Sequence, residues 1–195
     1  MGLTPVAAGD LATIVTSLEM TTRPAPAQPV RAAFKLVRWT APVDLEAYRA
    51  LFRKVGGAWL WTSRLLLSDA ELAAILDAPT TELYAATRRD GTPVAILELD
   101  FAVAGQTELV FFGLTPELAG HGHGAWLMAH ALHRAWRADT RRVWVHTCDL
   151  DHPGALRFYQ RAGFRAYARA VETFADPRVT GLYPRDAAPH VLLLA

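Results

Sequence analysis

The sequence predicts a mixed α/β (α+β) layer fold in which most strands run antiparallel. Three observations carry that prediction. Residues Thr81–Leu114 hold three alternating apolar segments separated by short polar turns. Segments with helical apolar spacing lie before and after this run. The order strand, helices, three strands, helix, strand, helix, strand lacks the regular alternation of a βαβ repeat.

A short strand is predicted around Ile14–Met20 within DLATIVTSLEM. Residues 21–33 follow as a proline-rich connector, because Pro24, Pro26 and Pro29 remove backbone donors and restrict their neighbours. Alternation resumes in the strand Phe34–Thr40. Pro42 then opens the helix VDLEAYRALFRKV, whose apolar face carries Leu45, Leu51, Phe52 and Val55 and which Gly56 and Gly57 end. Ser68 with Glu71 three residues later is a capping box for the helix DAELAAIL. The central strands are Thr81–Arg88, Thr92–Val103 and Thr107–Leu114, joined by turns at Arg89-Asp90-Gly91 and Ala104-Gly105-Gln106. A helix from about Gly124 to Ala138 follows, with Met128, Leu132 and Trp136 on one ladder. Arg142–Cys148 is a strand, GALRFYQRAG a short helix stopped by Gly163, and FRAYARAVETF a further long strand. PHVLLLA at the end reads as a last strand or as a homodimer contact.

Length and composition bound the function. The 195 residues suit one domain spanning 1–195, and 52% hydrophobic content excludes general disorder. No apolar run reaches the roughly 18 residues of a membrane span, and the start lacks a basic signal region. With the single cysteine, Cys148, this predicts a cytoplasmic protein without a membrane partner. The balance of 20 basic against 19 acidic side chains argues against a nucleic-acid partner. Charge is nonetheless uneven. Residues 57–119 carry nine acids and three bases, and residues 120–170 eight bases and three acids. That division suits a cationic substrate on one side and an anionic cofactor on the other.

The sharpest local signal is AGHGHGAW, Ala119–Trp126, between a strand and an amphipathic helix. Gly120, Gly122 and Gly124 let the backbone turn tightly and gather N–H groups, and the helix start adds unpaired amides, which together make an anion cradle. The segment lacks the Lys-Ser/Thr ending of a P-loop. It also follows an antiparallel run, not the first strand of a dinucleotide-binding unit.

The segment resembles the pyrophosphate motif Gln/Arg-x-x-Gly-x-Gly/Ala of the GNAT superfamily of acyl-CoA-dependent N-acyltransferases, with Ala119 at the Gln/Arg position. A second family motif, Asn-x-x-Ala, then Tyr, then Gly-Phe, is matched by HPGALRFYQRAGF through Ala155, Tyr159, Gly163 and Phe164, with His152 at the asparagine. The two matches cover about residues 81–170. ALFRKVGGAWLWTSRLLLSDAELAAIL also resembles an uncharacterised bacterial subgroup of the superfamily.

The resemblance implies a mostly antiparallel central sheet with helices on both faces, splayed at the slot for acetyl-CoA. It implies that the strand Leu109–Leu114, including Phe112, Gly113 and Leu114, runs beside the pantetheine arm. Gly120, His121, Gly122, His123, Gly124 and Ala125 would bind the pyrophosphate, with Ala119, His152, Ala155, Phe158 and Tyr159 completing the cofactor site. The implied reaction is attack of a primary amine, on a small molecule or a peptide, on the acyl thioester. Tyr159 takes the family's acid position. Glu108 and Glu98 are the foremost candidates for the base, and His146 on the opposite side of the slot is a further one. Tyr48, Phe52, Trp59 and Trp61 fall where the family forms its acceptor wall, and Arg64 or Arg49 would meet an acceptor carboxylate. Cys148 and His146 lie on one strand face without a third orienting group, which is poor nucleophile geometry. His130 and His133, three apart with no HExxH pattern, predict no metal site. A non-catalytic acyl-CoA-binding or regulatory protein on the same fold is the alternative.

Overall fold

The computed structural model describes residues 2–25 and 33–194. Most of the proline-rich connector, residues 26–32, lies outside the described residues. Among those described, seven strands form one sheet: β1 (Asp10–Met20), β2 (Lys35–Trp39), β3 (Thr81–Thr87), β4 (Pro93–Asp100), β5 (Gln106–Leu114), β6 (Arg142–Cys148) and β7 (Arg165–Ala175). Their order is β2-β3-β4-β5-β6-β1-β7. Neighbours are antiparallel except β5 and β6, which run parallel.

The helices are α1 (Leu45–Gly56), α2 (Asp69–Leu76), α3 (His123–Ala135) and α4 (Ala155–Arg161). They cover both sheet faces, as the parity of buried residues shows. Tyr84, Ala86, Leu97 and Leu99 belong to a core shared with Leu127, Ala131 and Tyr159 of α3 and α4. Leu83, Ala85 and Ile96 belong to a core shared with Tyr48, Phe52, Val55 and Leu72 of α1 and α2. Because successive strand residues face opposite sides, β4 is buried from Val94 to Leu99. Each fully buried leucine there stabilises the fold by about 1.5–3 kcal/mol.

The helix starts follow their sequence signals. Asp44 accepts a hydrogen bond from the Ala47 N–H at 2.9 Å and caps α1. The Ser68–Glu71 capping box of α2 is complete. Boundaries differ where tertiary contacts decide. α3 stops at Ala135, not Ala138: Trp136 leaves helical geometry to bury its ring, and Thr107 donates a hydrogen bond at 2.8 Å to the Ala135 carbonyl freed at the helix end. β4 stops at Asp100, whose carboxylate accepts from the Ala102 N–H at 2.8 Å and starts the turn early. β1 begins at Asp10, four residues before the sequence signal, because β7 pairs with it from Asp10 onward.

Residues 189–194 form no strand. Arg178, 3% exposed, is paired with the buried Asp176 and donates to the carbonyls of Ala187, Ala188, Val191 and Leu192, so the segment is gathered around its guanidinium. Among the described residues no helix is long and apolar enough to cross a membrane.

One feature of the sheet positions the site. β5 and β6 pair only from Gln106–Glu108 to Arg142–Trp144, then part. On its other edge β5 contains a bulge: Leu109 pairs with Leu99 and Phe111 with Glu98, leaving Val110 without a partner on β4. An extra residue of this kind bends its strand, here where β5 leaves β6.

Candidate active site

The gap between β5 and β6 opens into a cavity of about 1600 Å³ that reaches both faces of the sheet. Ordinary ligand pockets hold about 300–1,000 Å³, so this space exceeds the usual single-ligand pocket. Phe112, Gly113 and Leu114 line it from β5, beyond the last residue paired with β6, so their edge of the backbone has no strand partner. A side chain at Gly113 would meet Val55 at 2.5 Å, so this strand lies directly on α1.

The glycine loop borders the cavity at the start of α3. Gly120 and Gly122 have φ of 78° and 81°, the left-handed region that costs other residues about 1–2 kcal/mol. The N–H groups of Gly120 to Gly124 donate to no backbone carbonyl among the described residues. Thus unpaired amides and the positive end of α3 converge at one mouth of the cavity. The Ala119 carbonyl accepts from the His121 ring at 2.9 Å, and the His123 ring packs edge-on against Phe34. Gly124 lies close under Phe158, where a Cβ would come within 3.3 Å of the ring. Ala125 closes the first turn through its N–H to the Gly122 carbonyl.

The second motif forms the opposite wall. The His152 ring Nδ1 accepts from the Gly154 N–H at 3.0 Å and its carbonyl accepts from the Ala155 N–H, a local turn that leads into α4, whose N-cap is Gly154 without a side-chain cap. On α4, Phe158 stacks on Phe112 at 5.6 Å, and Tyr159 stands edge-on to Phe112, Phe158 and Phe164. Tyr159 is 6% exposed and lines the cavity. Burial, with the nearby Asp151 charge, pushes its hydroxyl well above the usual tyrosine range, so it stays protonated.

The predicted acceptor and base residues separate into two groups. Trp59, Trp61 and His146 line the cavity. The Trp61 ring N–H donates to Asp151 at 2.9 Å, its carbonyl accepts from the Tyr183 hydroxyl at 2.7 Å, and Trp59 packs edge-on against His152. Tyr48, Phe52, Glu98 and Arg64 lie behind this wall, outside the cavity lining. Tyr48 and Phe52 are fully buried under α1. Glu98 is 1% exposed; one oxygen takes the Arg64 guanidinium at 2.5 Å and the other the Tyr48 hydroxyl at 2.8 Å. Both oxygens are occupied by structural partners, and a buried ion pair of this kind holds α1 and the Arg64 loop to β4. Arg49 is likewise engaged, by Asp69 and the Leu67 carbonyl.

Glu108 sits where β5 and β6 part and lies 3.6 Å from the His146 ring. That contact, with the charges of Asp151 and Glu172, raises the His146 pKa above the ordinary imidazole value. Asp151 and Glu172 line the cavity and were not singled out in the sequence. Asp151 accepts from Thr147, the Cys148 N–H and Trp61, a convergence across 90 residues that no local pattern reveals. Burial pushes the Cys148 thiol up, away from the reactive thiolate.

A family model described as the Acetyltransferase (GNAT) family matches residues 46–164. Solved structures with a similar fold include a GCN5-related N-acetyltransferase from Sphaerobacter thermophilus, at 18% identity and TM-score 0.56, over 84% of this chain and 51% of that one. A GNAT acetyltransferase from Novosphingobium aromaticivorans is similar at 18% identity and TM-score 0.54, over 87% and 69%. A third, from Elizabethkingia anophelis with acetyl-CoA bound, is similar at 18% identity and TM-score 0.53, over 71% and 80%. The chain thus spans about half the length of the Sphaerobacter protein. A search of curated proteins finds no match to this sequence. With nearly all of α1, the whole of α2 to α4 and the glycine loop inside the matched span, the chain belongs to the Acetyltransferase (GNAT) family.

Proposed function

We propose that this chain is one acyltransferase domain that transfers an acetyl group from acetyl-CoA to the primary amine of a small molecule or peptide, by direct attack with both substrates bound. The observation that carries this reading is the joining of the glycine loop, whose Gly120, Gly122 and Gly124 line the cavity while His121 and His123 do not, with the unpaired edge of β5 in that one cavity. The first suits a pyrophosphate and the second suits the amides of a pantetheine arm. Acetyl-CoA bound there supplies an activated acyl carbon and a thiolate leaving group.

The chain's own residues account for the remaining needs. The Val110 backbone, unpaired at the bulge, and its β5 neighbours orient the acyl group. His146, oriented by Glu108, receives the proton lost by the amine as its nitrogen bonds to the acyl carbon. The Tyr159 hydroxyl, kept protonated by burial, donates to the sulfur as the carbon–sulfur bond breaks. This assigns the base to His146 with Glu108 and gives Glu98 and Arg64 a structural role. An acyl-enzyme on Cys148 lacks support, because its thiol is held protonated. The departures at Ala119 and His152 leave the backbone cradle and the turn into α4 in place.

Calorimetry with acetyl-CoA and with adenosine 3′,5′-bisphosphate, which lacks the pantetheine arm, tests the cofactor assignment. Acetyl-CoA should bind in a one-to-one complex and more tightly than the bisphosphate. Equal affinity for the two would remove the role given to β5, and no binding of either would remove the whole reading.

A further inference from the structure

We infer that the acceptor is a cationic amine with an apolar body and no carboxylate, selected by Glu172 and Asp151. This rests on the acetyltransferase reading above and adds the substrate class.

The acceptor end of the cavity is built on one face of β6, β1 and β7. Cys148 lies beside Val15, and Thr13 beside Glu172, at two-residue intervals that keep their side chains on one side. These residues and His146 all line the cavity. β7 is otherwise an exposed outer strand, and only Glu172 and Phe174 of it reach this space. On the facing side stand Trp59 and Trp61. Two unlike surfaces therefore meet, one carrying carboxylates and one aromatic.

The charge at this end is negative when His146 is neutral, the state in which it can accept a proton. Among the described residues no arginine or lysine forms an ion pair with Asp151 or Glu172. Glu108 stands behind His146 and adds to the same field. The arginines that would hold an acceptor carboxylate are spent elsewhere, Arg64 on Glu98 and Arg49 on Asp69. The arginines that do border the cavity are remote from this face. Arg161 ends α4, and Arg23 follows Met20, which pairs with Val143 at the closed end of the gap. An ammonium group approaching between Trp59 and Glu172 gains attraction from the carboxylates and contact with aromatic faces. A carboxylate on the same molecule meets repulsion from the same groups.

Two matched pairs of probes isolate the charge: phenethylamine against phenylalanine, and 1,5-diaminopentane against lysine. Acetylation is followed by thiol release, and binding of each probe to the CoA-saturated protein by calorimetry. In both pairs the compound without a carboxylate should be preferred by at least tenfold, in kcat/KM or, where turnover is undetectable, in Kd. Glu172→Gln, on an exposed strand, should narrow the preference about threefold or more while leaving the KM or Kd for acetyl-CoA unchanged. Equal or reversed preference in either pair, or an unaltered preference in Glu172→Gln, would overturn the inference. Loss of acetyl-CoA binding in the unmodified protein would instead overturn the acetyltransferase reading, so the two failures are distinguishable.

Discussion

In the proposed mechanism Tyr159 and His146 divide the proton chemistry, and their environments set them apart. Tyr159 is enclosed by Phe112, Phe158 and Phe164, so its hydroxyl is a persistent donor. Tyr159→Phe should lower kcat about 10²-fold or more while the KM for acetyl-CoA stays within about twofold, as steady-state kinetics would show. His146 must be neutral to accept a proton. Since Glu108 raises its pKa, kcat/KM should climb with pH through a value above the ordinary histidine pKa of about 6.5. In Glu108→Gln that limb should move down toward the ordinary value; an unmoved limb would take His146 out of the mechanism. Stability responds with the opposite sign. The contribution of the raised imidazolium is complete below the unfolded-state pKa and is lost as pH rises through the folded one. His146 is half exposed, so solvent keeps that contribution small. The Glu98–Arg64 pair is a different case. Arg64→Met leaves a buried carboxylate with only Tyr48 as partner and should cost about 3–5 kcal/mol in urea unfolding, with part of the loss recovered when Glu98→Met is added. In the sequence, Glu98 and Glu108 look alike, as carboxylates within apolar strands. Only the strand register separates them, placing Glu98 opposite Leu83 under α1 and Glu108 beside β6 at the opening.

Among the elements, the proposed function rests most on the junction of β5 with α3. Its glycines were legible because left-handed backbone and close approach leave few other residue choices. Gly122→Ala should keep the fold yet weaken acetyl-CoA binding about 5- to 30-fold, the equivalent of about 1–2 kcal/mol of backbone strain. Calorimetry beside a thermal melt separates this from global destabilisation, and unchanged affinity would show that the loop does not hold the cofactor. The central hairpins and the capped helices were legible for similar local reasons. Element ends were less so. Trp136 leaves α3 because its ring and the Thr107 hydroxyl offer a better arrangement than another helical turn, and nothing near Trp136 in sequence announces Thr107. The bulge at Val110 was equally hidden, since it arises from the register between β4 and β5.

At the scale of the whole molecule, near-neutral composition conceals a sorted charge distribution. The amide-lined glycine loop borders the cavity, and Glu172 on β7 and Asp151 just past β6, neither with an arginine or lysine partner among the described residues, line it elsewhere. The proposed cofactor side was readable because two short motifs mark it. The acceptor side was not, because it is assembled from Thr13, Trp59, Asp151 and Glu172, drawn from nearly the whole length of the chain. The central claim is that this single cavity brings an acyl donor and an amine together. Its most direct test is amine-dependent release of thiol from acetyl-CoA, with product mass measured on the same sample. The account predicts one acetylated amine per thiol released, at a rate far above that without amine. Binding of acetyl-CoA with thiol release no faster than the amine-free blank, across cationic and zwitterionic acceptors alike, would contradict it.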